Sequence, residues 1–146
     1  YPTPDDEWRV LEQRLERRAD EIELRVVVDA AALRAMQKTV EDVHVSEAVG
    51  RYIVELVRAT RHRNRVLVGA SPRGSLAVMK VARARAILQG RDFVTPDDVK
   101  TVAVPALAHR LILRPELWVQ DIQSDDIVVE CLDLVPTPPS VPEHQT

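Results

Sequence analysis

The stretch Val68-Gly-Ala-Ser-Pro-Arg-Gly-Ser-Leu76 decides how the rest of the chain is read. Three signals agree on a helix start: Ser71 as N-cap, Pro72 at the first helical position, and apolar residues from Leu76 onward. The helix predicted over 72–89 is apolar almost all round, with Leu76, Ala77, Val78, Met79, Val81, Ala82, Ala84, Ala86, Ile87 and Leu88. That pattern belongs to a central, mostly buried helix in an all-α fold. Arg73 falls in its first turn, where the helix carries partial positive charge, so a cation there is disfavoured by about 0.3–1 kcal/mol. The unpaired N–H groups of that turn and a guanidinium can together hold a phosphate. Two readings follow: a capped surface helix with an incidental arginine, or an anion-sensing arginine. Arg73, Lys80 and Arg83 share one side, since offsets of 7 and 10 residues return to similar angles.

Working outward, Thr3-Pro-Asp-Asp-Glu7 is a helix start with cap, N1 proline and acidic first turn. The helix is predicted to run to about Arg18, with Trp8, Leu11 and Leu15 as one buried stripe. Residues 22–28 read as an extended connector leading to the cap Asp29 and a short helix with Leu33, Met36 and Val40 on one face. Val43-His-Val45 is extended. Ser46 caps the most regular amphipathic helix, with Val49, Tyr52, Ile53, Leu56, Val57 and Thr60 inward. Gly50 weakens it by about 1 kcal/mol relative to alanine, which suggests a role in close packing. Gly90 is the C′ stop. Thr95-Pro-Asp-Asp98 opens another capped helix carrying Val99, Val102 and Ala103. Pro105 is read as starting a further one with Leu107 and Leu111, and Ser124-Asp-Asp126 as capping Ile127–Leu134, whose β-branched content leaves a strand open. The sum is an all-α bundle of about six or seven helices over residues 1–135. The tail 136–146 holds four of the ten prolines and is expected to be disordered.

The chain has 146 residues, 45% hydrophobic and 29% charged, which suits one globular domain or a compact pair. No apolar run approaches the roughly 20 residues that span a bilayer, and no membrane partner is expected. The lone Cys131 has no internal disulfide partner and fits a reducing cytosol. The start at Tyr1 suggests a piece of a longer protein. Net charge is −3, but residues 1–24 carry −4, residues 25–114 carry +8 and residues 115–146 carry −7. A basic middle between acidic ends points to an anionic ligand or an acidic neighbour.

Gly-Ala-Ser-Pro-Arg-Gly-Ser-Leu-Ala (69–77) is followed by Ala-Arg-Ala (84–86), Gly-Arg-Asp-Phe-Val-Thr-Pro-Asp-Asp-Val-Lys (90–100) and Ala-His-Arg-Leu-Ile-Leu (108–113). In this order and spacing they resemble the C-terminal lid of the MoxR family of AAA+ ATPases. The opening Tyr1-Pro-Thr-Pro and the helix Arg51-Tyr-Ile-Val-Glu-Leu-Val-Arg-Ala-Thr-Arg61 resemble the same region. The resemblance implies that Arg73 is the sensor-2 residue, reaching from the lid to the terminal phosphates of ATP. It further implies an AAA+ core upstream in the same chain and neighbouring subunits of a hexameric ring. Chaperone-like maturation of partner complexes follows from it too, alongside von Willebrand A domain proteins.

Other chemistry lacks its motif. No Gly-x-x-x-x-Gly-Lys-Ser/Thr loop is present to cradle a triphosphate, and no acidic strand end suits Mg²⁺. ATP and Mg²⁺ therefore belong to the full-length protein, and this segment alone is expected to bind none and to catalyse nothing. His44, His62, His109, His144 and Cys131 show no metal spacing. Arg58, Arg61, His62, Arg63 and Arg65 cluster at a helix end, where the dipole favours cations; a neighbouring subunit or nucleic acid is the alternative. Aromatic content of 3% offers no stacking platform, so nucleic acid is not expected. His109 reads as a packing residue beside Leu107 and Leu111. The rival to the lid reading is a stand-alone helical adaptor that binds an acidic partner through the basic middle.

Overall fold

The computed structural model describes residues 1–20, 24–117 and 122–139. Among these, six α-helices follow one another: α1 (Pro4–Arg17), α2 (Ala30–Glu41), α3 (Glu47–Arg61), α4 (Pro72–Leu88), α5 (Pro96–Leu107) and α6 (Ser124–Leu134). A two-stranded antiparallel sheet pairs β1 (Val66–Val68) with β2 (Ile112–Leu113), and 3₁₀ turns occupy Ala108–Arg110 and Pro115–Leu117. The all-α class holds. The chain divides into two compact units, Tyr1–Leu33 and Arg34–Thr146.

In the larger unit the core is built from one stripe of each helix. Leu56 and Val57 of α3, Val78, Ala82 and Ala86 of α4, Val99 and Leu107 of α5, and Ile127, Val128 and Cys131 of α6 are fully buried. All six residues predicted to face inward on α3 do so. Ser46 caps it as expected, its Oγ accepting from the Val49 N–H at 3.3 Å. Helix α4 packs chiefly on α5 and next on α3. It does so through a stripe of small residues, Gly74, Val78, Ala82 and Ala86, at four-residue intervals. The prediction of burial nearly all round was too broad: Leu76, Val81 and Leu88 are exposed. Apolar content marks α4 as central, but only its narrow side approaches a neighbour closely enough to exclude water.

Two boundaries differ from the sequence reading. Pro105 starts no new helix; it lies within α5, whose last turn then tightens into the 3₁₀ turn at Ala108–Arg110. Pro105 removes one i→i−4 hydrogen bond, but only two helical residues follow it, so the loss is confined to the last turn. The cap of α6 is Gln123 rather than Ser124, its N–H donating to Asp126 Oδ2 at 2.9 Å. Residues 127–134 are helical, which closes the strand alternative.

The smaller unit has its cap where predicted. Thr3 accepts from the Asp6 N–H, Pro4 opens α1, and Arg18 ends it in the left-handed region at φ 55°. The predicted buried stripe is not buried: α1 has no buried residue, and Trp8, Leu11 and Leu15 are 55%, 57% and 67% exposed. Periodicity shows which face is apolar, not what covers it. Leu33 and Met36 of α2 are exposed in the same way. Residues 24–29 lie outside helices and strands, as the connector reading expects, while Ile22 lies outside the described residues. Of the tail, 136–139 carry no regular structure and 140–146 lie outside the described residues.

Glycines supply a test. Gly90 has φ +71°, as its C′ position requires. Gly50 does not serve close packing, since a Cβ there would meet nothing within 4 Å. Gly50→Ala should therefore stabilise the chain by about 0.5–1 kcal/mol, because a helix-interior glycine is replaced without a clash. Gly69→Ala should do the reverse and lower the melting midpoint, for the reason given below. Thermal melts of the two variants check the pair of signs.

Candidate functional site

Arg73 stands one residue into α4, and its placement depends on the segment before it. Ser71 adopts the N-cap conformation at φ −75° and ψ 171°, with Pro72 next. The expected side-chain cap is missing, however; the Gly74 N–H instead donates to the Ser71 carbonyl at 2.7 Å. Preceding these, Gly69 and Ala70 lie against the last turn of α3. Thr60 Oγ1 donates to the Val57 carbonyl at 2.7 Å and accepts from the Ala70 N–H at 3.0 Å. Arg61 Nε donates to the Ala70 carbonyl at 2.7 Å. Both polar groups of the buried Ala70 peptide unit pair are thus held by α3.

The two glycines of the motif permit this approach. A Cβ on Gly69 would lie 2.7 Å from Arg61 Cα and 2.8 Å from its backbone N, a clash with main chain that no rotamer relieves. A Cβ on Gly74 would meet Leu107 Cδ2 at 3.1 Å and the Ala70 Cβ at 3.2 Å. So Gly69 seats the loop on α3, and Gly74 seats the first turn of α4 on the end of α5. Sequence reasoning missed both contacts; the glycines flanking Ser-Pro-Arg were their only local sign.

Against this fixed backdrop Arg73 is exposed and, among the described residues, has no hydrogen bond or ion pair. Its predicted companions differ. Lys80 is exposed, whereas Arg83 donates to Glu41 Oε2 of α2 at 3.1 Å and is mostly buried. Arg85 turns to Asp98, 3.3 Å away. At the start of α4, then, one guanidinium is uncommitted among the described residues at the positive end of the helix, an arrangement suited to an anion.

The basic cluster is largely structural. Arg61 is taken by Ala70, and Arg65 binds both carboxylate oxygens of Glu130 on α6, Oε2 at 2.6 Å. Arg114 donates to the Asn64 carbonyl at 2.7 Å across the β1–β2 pair. Arg63 lies at the buried Cys131 thiol; burial pushes that thiol up, and Arg63 draws it part of the way back. Arg58 and His62 instead line a groove of about 610 Å³ with Tyr52, Glu55 and the segment Leu134–Pro138. Burial raises the Tyr52 phenol there, with Thr137 partly offsetting it. His109, expected to pack, is exposed beside Ser124 and Asp125. Among the described residues no group of three or more His, Cys, Asp or Glu is placed to hold a metal, and no helix is long and apolar enough to cross a membrane.

The AAA lid domain family model matches residues 58–131, the region that runs from the last turn of α3 through α4 and α5 into α6. YeaC of Bacillus subtilis is 39% identical over 94% of this chain and 43% of its own length. The chaperone MoxR1 of Mycobacterium tuberculosis is 29% identical over 94% of this chain and 38% of its own. The crystal structure of a candidate ATPase from Cytophaga hutchinsonii superposes with a TM-score of 0.80 at 29% identity, covering 95% of this chain and 44% of that one. The chain thus spans less than half the length of these relatives. With the family model covering half of its residues and MoxR proteins among its relatives, the chain belongs to the AAA lid domain family, as a lid segment of a MoxR-type AAA+ ATPase.

Proposed function

We propose that this lid carries the sensor-2 arginine of an ATP-hydrolysing ring, and that Arg73 is that residue. The observation that carries the reading is the start of α4: an exposed guanidinium with no hydrogen bond or ion pair among the described residues, on a turn fixed from two sides. ATP with Mg²⁺ would be held by the AAA+ core of the same protein, whose phosphate loop this segment does not contain. Arg73 would add two parallel N–H donors to the terminal phosphate, a geometry suited to guanidinium–phosphate pairing. Lid closure is then driven from one end by charge-assisted hydrogen bonds and reversed when the phosphate leaves. The larger unit, packed as one core, would carry that movement to neighbouring subunits of a cytosolic hexamer. Chaperone-like maturation of partner complexes, with von Willebrand A domain proteins as companions, is the wider role this reading takes up; the relative MoxR1 is itself named a chaperone.

The 146-residue chain on its own should bind ATP very weakly and hydrolyse none. One arginine and a helix terminus form part of a phosphate site, and an exposed ion pair contributes only about 0–1 kcal/mol. Isothermal titration should show no saturation at millimolar ATP, whereas the full-length protein should saturate at far lower concentration. Micromolar binding by the segment alone would mean a complete nucleotide site within it and would overturn the division of labour.

A further inference from the structure

We infer that Arg61 is a positioning residue for Arg73, acting through the Ala70 peptide and not through its charge. The inference rests on the sensor reading above and adds the device that aims the sensor. Arg61 Nε–H reaches the Ala70 carbonyl at 2.7 Å, and the Ala70 N–H reaches Thr60 Oγ1 at 3.0 Å. The last turn of α3 therefore holds Ala70 from both sides, and Gly69 lies so close to Arg61 that a Cβ there would meet Arg61 backbone atoms at 2.7–2.8 Å. Only Ser71 and Pro72 separate this anchor from Arg73. Pro72 has its φ fixed by its ring, and Ser71 is tied to Gly74 at 2.7 Å. No freely rotating residue intervenes, so loss of the Arg61 bond would let the mouth of α4 shift and Arg73 with it. Arg61 makes no ion pair among the described residues; the contact it does make is to a neutral carbonyl. Its useful atom is thus the Nε–H, and the guanidinium charge is incidental.

Glutamine separates the two properties, because its Nε2 sits where arginine carries Nε while its side chain is uncharged. In the full-length ATPase, Arg61→Ala should lower kcat by on the order of tenfold, since small misplacements far from the chemistry can cost up to 10²-fold. Arg61→Gln should stay within about twofold of wild type, an additivity-scale difference. Added to Arg73→Ala, Arg61→Ala should slow turnover no further, because the residue it aims is gone. Melting midpoints of all variants confirm folding, and Arg61→Met, which keeps the stem without the donor, replaces alanine if the latter unfolds. The inference is overturned if Arg61→Gln is as slow as Arg61→Ala, which would make the charge the useful property, or if the double variant is slower than Arg73→Ala alone. It is equally overturned if Arg61→Ala turns over at the wild-type rate while Arg73→Ala is slow, and the sensor reading then survives. If Arg73→Ala itself turns over like wild type, the sensor reading fails first, and the inference with it.

Discussion

Asp98→Ala should lower the melting midpoint by about 10 °C at pH 7, the largest stability effect expected of any exchange at a single charged residue here. Asp98 is 2% exposed at the third position of α5, and both oxygens of its carboxylate accept hydrogen bonds. Arg91 donates from both terminal nitrogens at 2.7 Å, Thr95 donates from N–H at 2.9 Å and from Oγ1 at 2.8 Å, and Arg85 Nε lies 3.3 Å away. Arg91 also reaches the Phe93 carbonyl at 2.9 Å, while His44 pairs with Asp92 and Val94 on either side of Phe93. One carboxylate therefore ties together the end of α4, the 91–95 loop and the start of α5. Removing it leaves two arginines without their anion and the Thr95 N–H without its half of the capping box, and breaking such a pair costs about 3–5 kcal/mol.

The pH dependence gives an independent check. Burial alone would raise the Asp98 carboxyl, but the Arg91 hydrogen bonds and those from Thr95 outweigh it and hold it below its ordinary 3.8. A carboxyl depressed on folding contributes stability that is present above its unfolded pKa and lost as pH falls through the folded one. The gap between wild type and Asp98→Ala should accordingly be full at pH 7 and shrink below pH 4. Asp98→Asn should be milder at neutral pH, since its amide oxygen can still accept from the Thr95 N–H. Equal melting of wild type and Asp98→Ala at pH 7 would show that the network is not what fastens α4 to α5.

Local signals were legible where one element suffices to state them. The α3 stripe, the caps at Thr3, Ser46 and Thr95, and the left-handed Gly90 follow from periodicity and backbone chemistry within a few residues. Contacts between elements were not. Thr95-Pro-Asp-Asp98 announced a cap, yet nothing in it told that Arg91 and Arg85 converge on the same carboxylate. Gly50 looked like the close-packing glycine because it interrupts a helix, but the tight approaches are at Gly69 and Gly74, which needed α3 and α5 to be placed first. The strands were too short, at three and two residues, to show alternation. The α1 stripe was seen correctly as apolar and wrongly as buried, since an amphipathic helix carries no record of its cover. For the site, sequence chemistry placed Arg73 at a helix mouth and left open whether it is used there. The resemblance supplied the sensor role, and the structure adds a guanidinium with no partner among the described residues, on an anchored turn.

Arg73→Ala should have the largest functional effect. Stability should barely change, by no more than about 2 °C, because the substitution removes an exposed cation from the unfavourable end of a helix. ATP turnover of the full-length protein should fall by on the order of 10³-fold, the scale seen when an arginine neutralising a transferring phosphoryl group is lost. Arg73→Lys should recover part of the loss, since an ammonium restores charge without the planar two-donor fork. Arg83→Ala is the control. Its guanidinium is engaged with Glu41, so the same charge is lost from α4 with a smaller effect on turnover.

The most direct test is the steady-state ATPase rate of the full-length Arg73→Ala protein, measured beside its melting midpoint. A rate reduced by on the order of 10³-fold at an unchanged midpoint is the predicted result. Wild-type turnover, or a loss that appears only because the protein unfolds, would contradict the assignment of Arg73 as the nucleotide sensor of this lid.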